Sequence, residues 1–167
     1  MAKTKVLITV KTYPTISSKY EELVCTAGFT ENGTWIRIYP IQFRKKSYDQ
    51  QYKKYDWIEL DLVKNESDFR PESYRPYSYD REIKILNHLD TTHNWAERKK
   101  FVLGKIYYNL AELITEAQNK NICTSLAVFK PTKILDFTIE EVEREWDKKK
   151  LAKLEAERRQ GNLFKQP

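Results

Sequence analysis

Leu23-Val24-Cys25-Thr26-Ala27-Gly28-Phe29-Thr30-Glu31-Asn32-Gly33-Thr34-Trp35-Ile36-Arg37-Ile38-Tyr39-Pro40 sets two β-rich runs about a central Asn32-Gly33. Asn-Gly between such runs is the strongest short-range sign of a β-hairpin, because a type I′ turn needs positive φ at both central residues. A two-residue loop puts Thr30 opposite Trp35, Phe29 opposite Ile36, Gly28 opposite Arg37, Ala27 opposite Ile38 and Thr26 opposite Tyr39. Cys25, Ala27, Phe29, Ile36 and Ile38 then share a core face, and Thr26, Gly28, Thr30, Trp35, Arg37 and Tyr39 share the other. A one-residue slip would carry Arg37 into the core, so the pattern favours this register.

Outward from the hairpin, Val6, Ile8 and Val10 alternate with Leu7, Thr9 and Lys11 as a first strand, ended by Pro14. A third strand runs from Trp57 to Val63 with Ile58, Leu60 and Leu62 inward, and a fourth from Arg81 to Leu86. The polar stretch between them, Asn65 to Tyr79, reads as a long loop, a length usually reserved for function. Asp90-Thr91-Thr92 offers N-caps for a mainly helical run from Trp95 to Lys120. In it Leu103, Tyr107, Leu110, Ile114 and Ala117 form one apolar stripe, with Gly104 as a kink or break. Thr124 to Lys130 and Lys133 to Phe137 read as short strands, and Ile139 to Arg159 as a last, charged helix. The fold expected is α+β: a small, bent, mainly antiparallel sheet or incomplete barrel, PUA-like or OB-like, packed by one or two helices. The core is expected at Val6, Ile8, Val10, Phe29, Ile36, Ile38, Ile58, Leu60, Ile83, Ile85, Leu110, Ile114 and Val128. One domain spans 1–138, and 139–167 form a charged helix and tail.

Composition narrows the classes. The 167 residues are 40% hydrophobic and 13% aromatic, which argues against disorder. Lys and Arg number 30 against 24 Asp and Glu, a net +6 that suits an acidic partner without naming one. No apolar run reaches membrane-spanning length, and Val6 to Val10 is too short for a signal peptide. Two cysteines make no disulfide framework, so a cytoplasmic location is expected.

Four constellations bear on chemistry. Trp35, Arg37 and Tyr39 stand together on one strand face, opposite small residues that leave room for a stacked base; the alternative is a second core face with Arg37 paired to a carboxylate. Next, Arg44, Lys45, Lys46, Lys53 and Lys54 surround Asp49, with Tyr48, Tyr52 and Tyr55 interleaved, a pattern suited to phosphates and bases. An ordinary solvated loop is the alternative there, since residues 1–89 and 90–167 each carry 15 basic and 12 acidic residues. Arg70 and Arg75 sit in the long loop, placed to close over a ligand. Third, Glu59, Asp61, Asp68 and Glu72 are the carboxylates from which a Mg²⁺ site for phosphodiester cleavage would be built, although their spacing fits nucleases poorly. Last, Gln160-Gly161-Asn162-Leu163-Phe164 resembles the short Gln-x-x-Leu-Phe peptide with which bacterial replication and repair proteins dock on the sliding clamp. His88 and His93 with Cys25 and Cys123 lack zinc spacing, and glycine-rich phosphate loops are absent. No metal and no cofactor are expected.

Lys11-Thr12-Tyr13-Pro14, Cys25-Thr26-Ala27-Gly28, Arg37-Ile38-Tyr39-Pro40 with Phe43-Arg44, and Asp68 to Ser73 resemble an uncharacterised prokaryotic family with the pattern KTYP, CTAG, RIYP, FR and D-x-R-P-E-S. The resemblance is strong over about residues 5–80. It implies a bacterial or phage origin, among defence or mobile-element genes, and carries no activity. Members continue past the equivalent of Leu163-Phe164, which implies a short member or a fragment.

The function expected is therefore a nucleic-acid-binding module for DNA or a modified or flipped base, more a binder than an enzyme. Its contacts are expected from Trp35, Arg37, Tyr39, Arg44, Lys45, Lys46, Tyr48, Lys53, Lys54, Arg70 and Arg75. Two other classes remain: a metal-dependent nuclease using Glu59, Asp61, Asp68 and Glu72, and a protein-interaction subunit working through the last helix or the Gln160–Phe164 peptide.

Overall fold

The computed structural model describes residues 3–17, 21–43, 46–78, 82–143, 145 and 147–163. Strand β1 (Thr4–Lys11) lies between β3 (Glu21–Thr30) and β5 (Asp56–Leu60), antiparallel to both. Val6, Leu7 and Ile8 are buried in succession, so this strand is covered on both faces. The sheet continues beyond β3 through β4 (Trp35–Ile41), β7 (Ser73–Pro76) and β6 (Leu62–Lys64), and beyond β5 to β8 (Lys84–His88). The short β2 (Thr15–Ser17) pairs with β3. Among the described residues, only β4 and β7 run parallel in this sheet. The sheet curls into a half-barrel, and the α+β fold is compatible with an OB-like architecture.

Curling lets the strands fill their own interior. Val6, Ile8, Val24, Ile36, Ile38, Ile41, Ile58, Leu60 and Ile83 form the core with the fully buried Tyr52, and Phe43, Leu62, Tyr74 and Ile85 pack against it. Seven of the expected core residues are in this cluster. Val10 is not: the pairing shifts between Ile8↔Gly28 and Val10↔Ala27, and the bulge at Thr9 turns Val10 out to solvent.

The hairpin forms one residue out of the expected register. Phe29 pairs with Trp35, Gly28 with Ile36, Ala27 with Arg37 and Thr26 with Ile38. Thr30 N–H donates to Thr34 O at 2.9 Å, and Gly33 N–H donates to Thr30 O at 2.9 Å, so three residues make the loop. Gly33 alone takes the left-handed conformation there (φ 79°), where a type I′ turn would also need it at Asn32. Alternation within β4 is as expected, but β3 is turned over beneath it. Thr26 and Gly28 therefore join the core face, while Cys25, Ala27 and Phe29 share the face of Trp35, Arg37 and Tyr39. Gly28 is required where it stands, since a Cβ would lie 1.8 Å from Leu7 O. Thr26 hides its hydroxyl on the Tyr52 hydroxyl at 2.6 Å.

The run expected as one strand from Trp57 breaks at Asp61 into β5 and β6, and the expected long loop holds β7. The fourth strand begins at Lys84; Arg81 lies outside the described residues. Asp90 Oδ1 accepts from Thr92 N–H at 2.9 Å ahead of helix α1 (Thr92–Val102), whose His93, Asn94 and Trp95 take positive φ, and Phe101 stands edge-on to Trp57 at 5.2 Å. After it come β9 (Ile106–Tyr107), α2 (Leu110–Gln118) and β10 (Val128–Phe129), which pairs in parallel with β9. The expected stripe does not reach the sheet: Leu110 and Ile114 are 54% and 46% exposed, because the half-barrel interior is already filled by strand residues and Tyr52. Lys133 to Phe137 forms no strand. Helix α3 (Lys148–Leu163) starts later than expected, where Asp147 Oδ1 accepts from Lys149 N–H at 2.8 Å and Lys150 N–H at 3.2 Å. Among the described residues no helix is long and apolar enough to cross a membrane.

Candidate nucleic-acid interface

The strand alternation of β4 turns Ile36 and Ile38 inward and leaves Trp35, Arg37 and Tyr39 half-buried on the outer face. Turning β3 over has a consequence for that face. Phe29 now lies against Trp35, ring centroids 4.0 Å apart, so one side of the indole is occupied. Arg37 sits 5.8 Å from the Tyr39 ring, its backbone N–H donates to Glu72 O at 2.8 Å, and its Nε is buried without a partner. The Cys25 thiol on this face is pushed up by burial, against the pull of Arg37 and Arg70.

Arg70 does not hang over this surface as a free cation. Its Nε and Nη2 donate to the two oxygens of Asp68 at 2.8 and 2.7 Å, and Ser73 Oγ donates to the same carboxylate at 2.7 Å. The Arg70 hydrogen bond, more than any other contact, holds the Asp68 carboxyl far below the usual range, and Arg70 is raised in turn. This bidentate clamp shapes the loop before β7. Arg75 on β7 is exposed, with Nη1 donating to Pro76 O at 3.4 Å.

A second arrangement forms where the end of β1 meets the starts and ends of β5 and β8. The 3-10 turn Tyr48–Gln50 crosses this end of the half-barrel and, with Lys11, Phe43, Gln51, Tyr52, Lys53, Asp56, Ile85 and His88, lines an open cleft of about 590 Å³. Tyr52 stands edge-on to Phe43 at 5.2 Å. Lys11 lays its ammonium 3.8 Å from the centre of the Phe43 ring and donates to Tyr52 O at 3.1 Å. Burial lowers the Lys11 pKa, with Asp56 acting in the opposite direction. Tyr48 is almost wholly exposed at the rim, where Lys53 and Lys54 are exposed too.

Behind the cleft runs a polar relay. Buried Asp56 accepts from Lys53 N–H at 2.6 Å, and its other oxygen meets His88 Nδ1 at 2.6 Å. Arg98 Nη2 lies 3.2 Å from His88 Nε2; a guanidinium only donates, so Nε2 accepts and the ring proton sits on Nδ1, facing Asp56. Arg98 is buried, donates from Nε to Leu89 O at 2.7 Å, and stacks 3.9 Å from the Tyr55 ring. α1 is thereby tied to the wall of the cleft.

The expected contact residues thus fall into two groups on opposite faces. Trp35, Arg37 and Tyr39 lie outside, with the Arg70 clamp and Arg75 on the neighbouring β7 segment. Tyr48 and Lys53 line the cleft, Lys54 next to Lys53 in sequence is exposed, and half-buried Lys46 lines a separate small hollow with Asp61. Arg44 and Lys45 lie outside the described residues. Lys11, Phe43, Asp56, His88 and Arg98 were not expected at a site, while Tyr52, expected as an aromatic interleaved in the basic stretch, is fully buried and lines the cleft. The carboxylates weighed for a metal do not converge: Glu59 meets Lys3 at 3.7 Å, Asp68 holds Arg70, and Glu72 bonds Ser125. Among the described residues no three His, Cys, Asp or Glu side chains gather as a metal site. Of the Gln160–Phe164 peptide, Gln160 to Leu163 close α3 and Phe164 lies outside the described residues.

Fold and cleft define an α+β half-barrel of OB-like build, open at one end onto aromatic and basic side chains. Residues 2–104 match the family described as domain of unknown function DUF8758, and the chain belongs to that family. Residues 107–167 match a second one, domain of unknown function DUF8757. No curated protein and no solved structure matches the chain.

Proposed function

We propose that this protein binds nucleic acid, taking one unstacked nucleotide of a single strand or an opened duplex into the cleft at the end of the half-barrel. The observation that carries the reading is the cleft itself: about 590 Å³ lined by Lys11, Lys53, Phe43, Tyr48 and Tyr52. That volume is in the range of small-ligand sites, roughly 300–1,000 Å³. Tyr48 offers a base a stacking surface at the rim, worth about 1–3 kcal/mol. Lys53 and Lys54 supply phosphate contacts. A cytoplasmic location belongs to the proposal, since Cys25 and Cys123 are both free thiols of the kind a reducing compartment keeps.

Fluorescence anisotropy with a labelled single-stranded oligonucleotide tests this. Affinity is expected to fall steeply with salt, and Lys53→Ala and Lys54→Ala each to reduce the salt slope by about one. Tyr48→Ala is expected to weaken binding about tenfold or more, while Arg37→Ala, on the far face, leaves it unchanged. Salt-independent binding, or wild-type affinity in both Tyr48→Ala and Lys53→Ala, would sink the proposal.

A further inference from the structure

His88 holds both of its ring nitrogens in contacts whose demands conflict once the ring is charged. Nδ1 meets the buried Asp56 carboxylate at 2.6 Å, and Nε2 accepts from Arg98 Nη2 at 3.2 Å. An imidazolium donates from both nitrogens. Asp56 still takes the Nδ1 proton, but a second N–H at Nε2 points at a guanidinium that has no lone pair to accept it. Only the neutral ring keeps its bond to Arg98. The side chain is 46% exposed, so water reaches it with a proton.

Arg98 carries more than that one bond. It donates to Leu89 O at 2.7 Å, and its guanidinium lies 3.9 Å from the Tyr55 ring and 5.5 Å from the Trp95 ring. Between its anchors at residues 88 and 89 and Arg98 itself, His93, Asn94 and Trp95 take φ of 50°, 56° and 64°. L-residues visit that left-handed region singly, so a run of three is strained. The Arg98 contacts close the chain across this strained turn. The charges facing the ring divide: Asp56 on β5 and Asp90 ahead of α1 favour an imidazolium, while Arg98 on α1, Lys11 on β1 and Lys53 oppose it. Asp49 lines the same cleft, with Tyr48 and Tyr52.

We infer that His88 is a pH-operated latch on the cleft: neutral, it ties Arg98 and with it α1 to the cleft wall; protonated, it releases Arg98 and adds a positive charge to the cleft, so that nucleic-acid binding strengthens as pH falls. The regulation rests on the reading of the cleft as a nucleotide site, which His88 lines. Histidine is the side chain whose charge changes between about pH 5 and pH 8. A further cation beside Lys11 and Lys53 attracts phosphate.

Nitrogen NMR of the histidine rings and fluorescence anisotropy read the two halves separately. In the free protein at about pH 8, His88 is expected as the neutral tautomer with its proton on Nδ1. In Arg98→Met the ring is expected to take its second proton at a higher pH than in the wild type, because the opposing cation is gone. With a labelled single-stranded oligonucleotide, wild-type affinity is expected to rise about threefold or more from about pH 8 to about pH 5.5. His88→Asn keeps a donor toward Asp56 but cannot change its charge, and is expected to lose that rise, whereas His93→Asn keeps it. A proton on Nε2 in the neutral ring, or the same titration midpoint in Arg98→Met, would overturn the latch. A rise that survives in His88→Asn would overturn the regulation and leave the cleft reading standing; no binding at any pH would overturn both.

Discussion

Asp68 illustrates how one carboxylate organises a segment the sequence shows only as polar loop. Two bonds from Arg70 and one from Ser73 Oγ converge on it at 2.7–2.8 Å, and its pKa is depressed accordingly. A folded-state pKa below the unfolded value near 4 means that the contribution to stability is complete well above about pH 4 and is lost as pH falls below it. Melting curves of the wild type and Asp68→Asn between about pH 3 and pH 6 test the sign. The wild-type advantage is expected to hold near pH 6 and to shrink as pH falls toward and below about 4. An advantage that stays constant across the window would show that the charge of Asp68 contributes nothing. Single residues were legible in unequal measure. Ile36 and Ile38 declared themselves by alternation, as did Ile58 and Leu60. His88 did not, because only the β5–β8 pairing, which sets Asp56 opposite His88, brings together two residues far apart in sequence.

Elements were legible where one face had to be buried and poorly legible where a turn set the phase. Asn32-Gly33 correctly marked a hairpin, but the dipeptide serves both a two-residue loop and a three-residue loop with Gly33 alone left-handed. That single residue decided which face of β3 met the core. Helix periodicity misled in a different way. The stripe on α2 is real, yet the curled sheet leaves it no interior to enter. α1 is held instead through Arg98, which bonds Leu89 O and His88 Nε2 and so ties the helix to a residue of the cleft wall. Replacing Arg98 by Met keeps the buried stem and removes both hydrogen bonds, leaving Leu89 O and His88 Nε2 without the donor. The expected cost is about 1–3 kcal/mol, a fall of several degrees in Tm for a chain of this size. Thermal melting checks it; an unchanged Tm would mean that Arg98 does not tie α1 to the sheet.

For the molecule as a whole, the half-barrel sets apart residues that the sequence reading assigned to one ligand. Basic and aromatic residues read from the sequence as a continuous nucleic-acid surface divide between the outer face of β4 and the open end of the barrel. Among the described residues, the open end sets exposed Lys53 beside a cleft of about 590 Å³, whereas the hollow of about 390 Å³ beside Trp35 is lined by Glu72 and no lysine. On the outer face Phe29 occupies one side of the Trp35 ring. An NMR titration of the isotope-labelled chain with a short single-stranded oligonucleotide distinguishes the two. Shifts are expected at the amides of Lys11, Tyr48, Gln51, Tyr52, Lys53 and His88, with Trp35, Arg37 and Tyr39 unmoved. No shifts at low salt, or shifts confined to the Trp35–Tyr39 face, would contradict a cleft that receives the nucleotide.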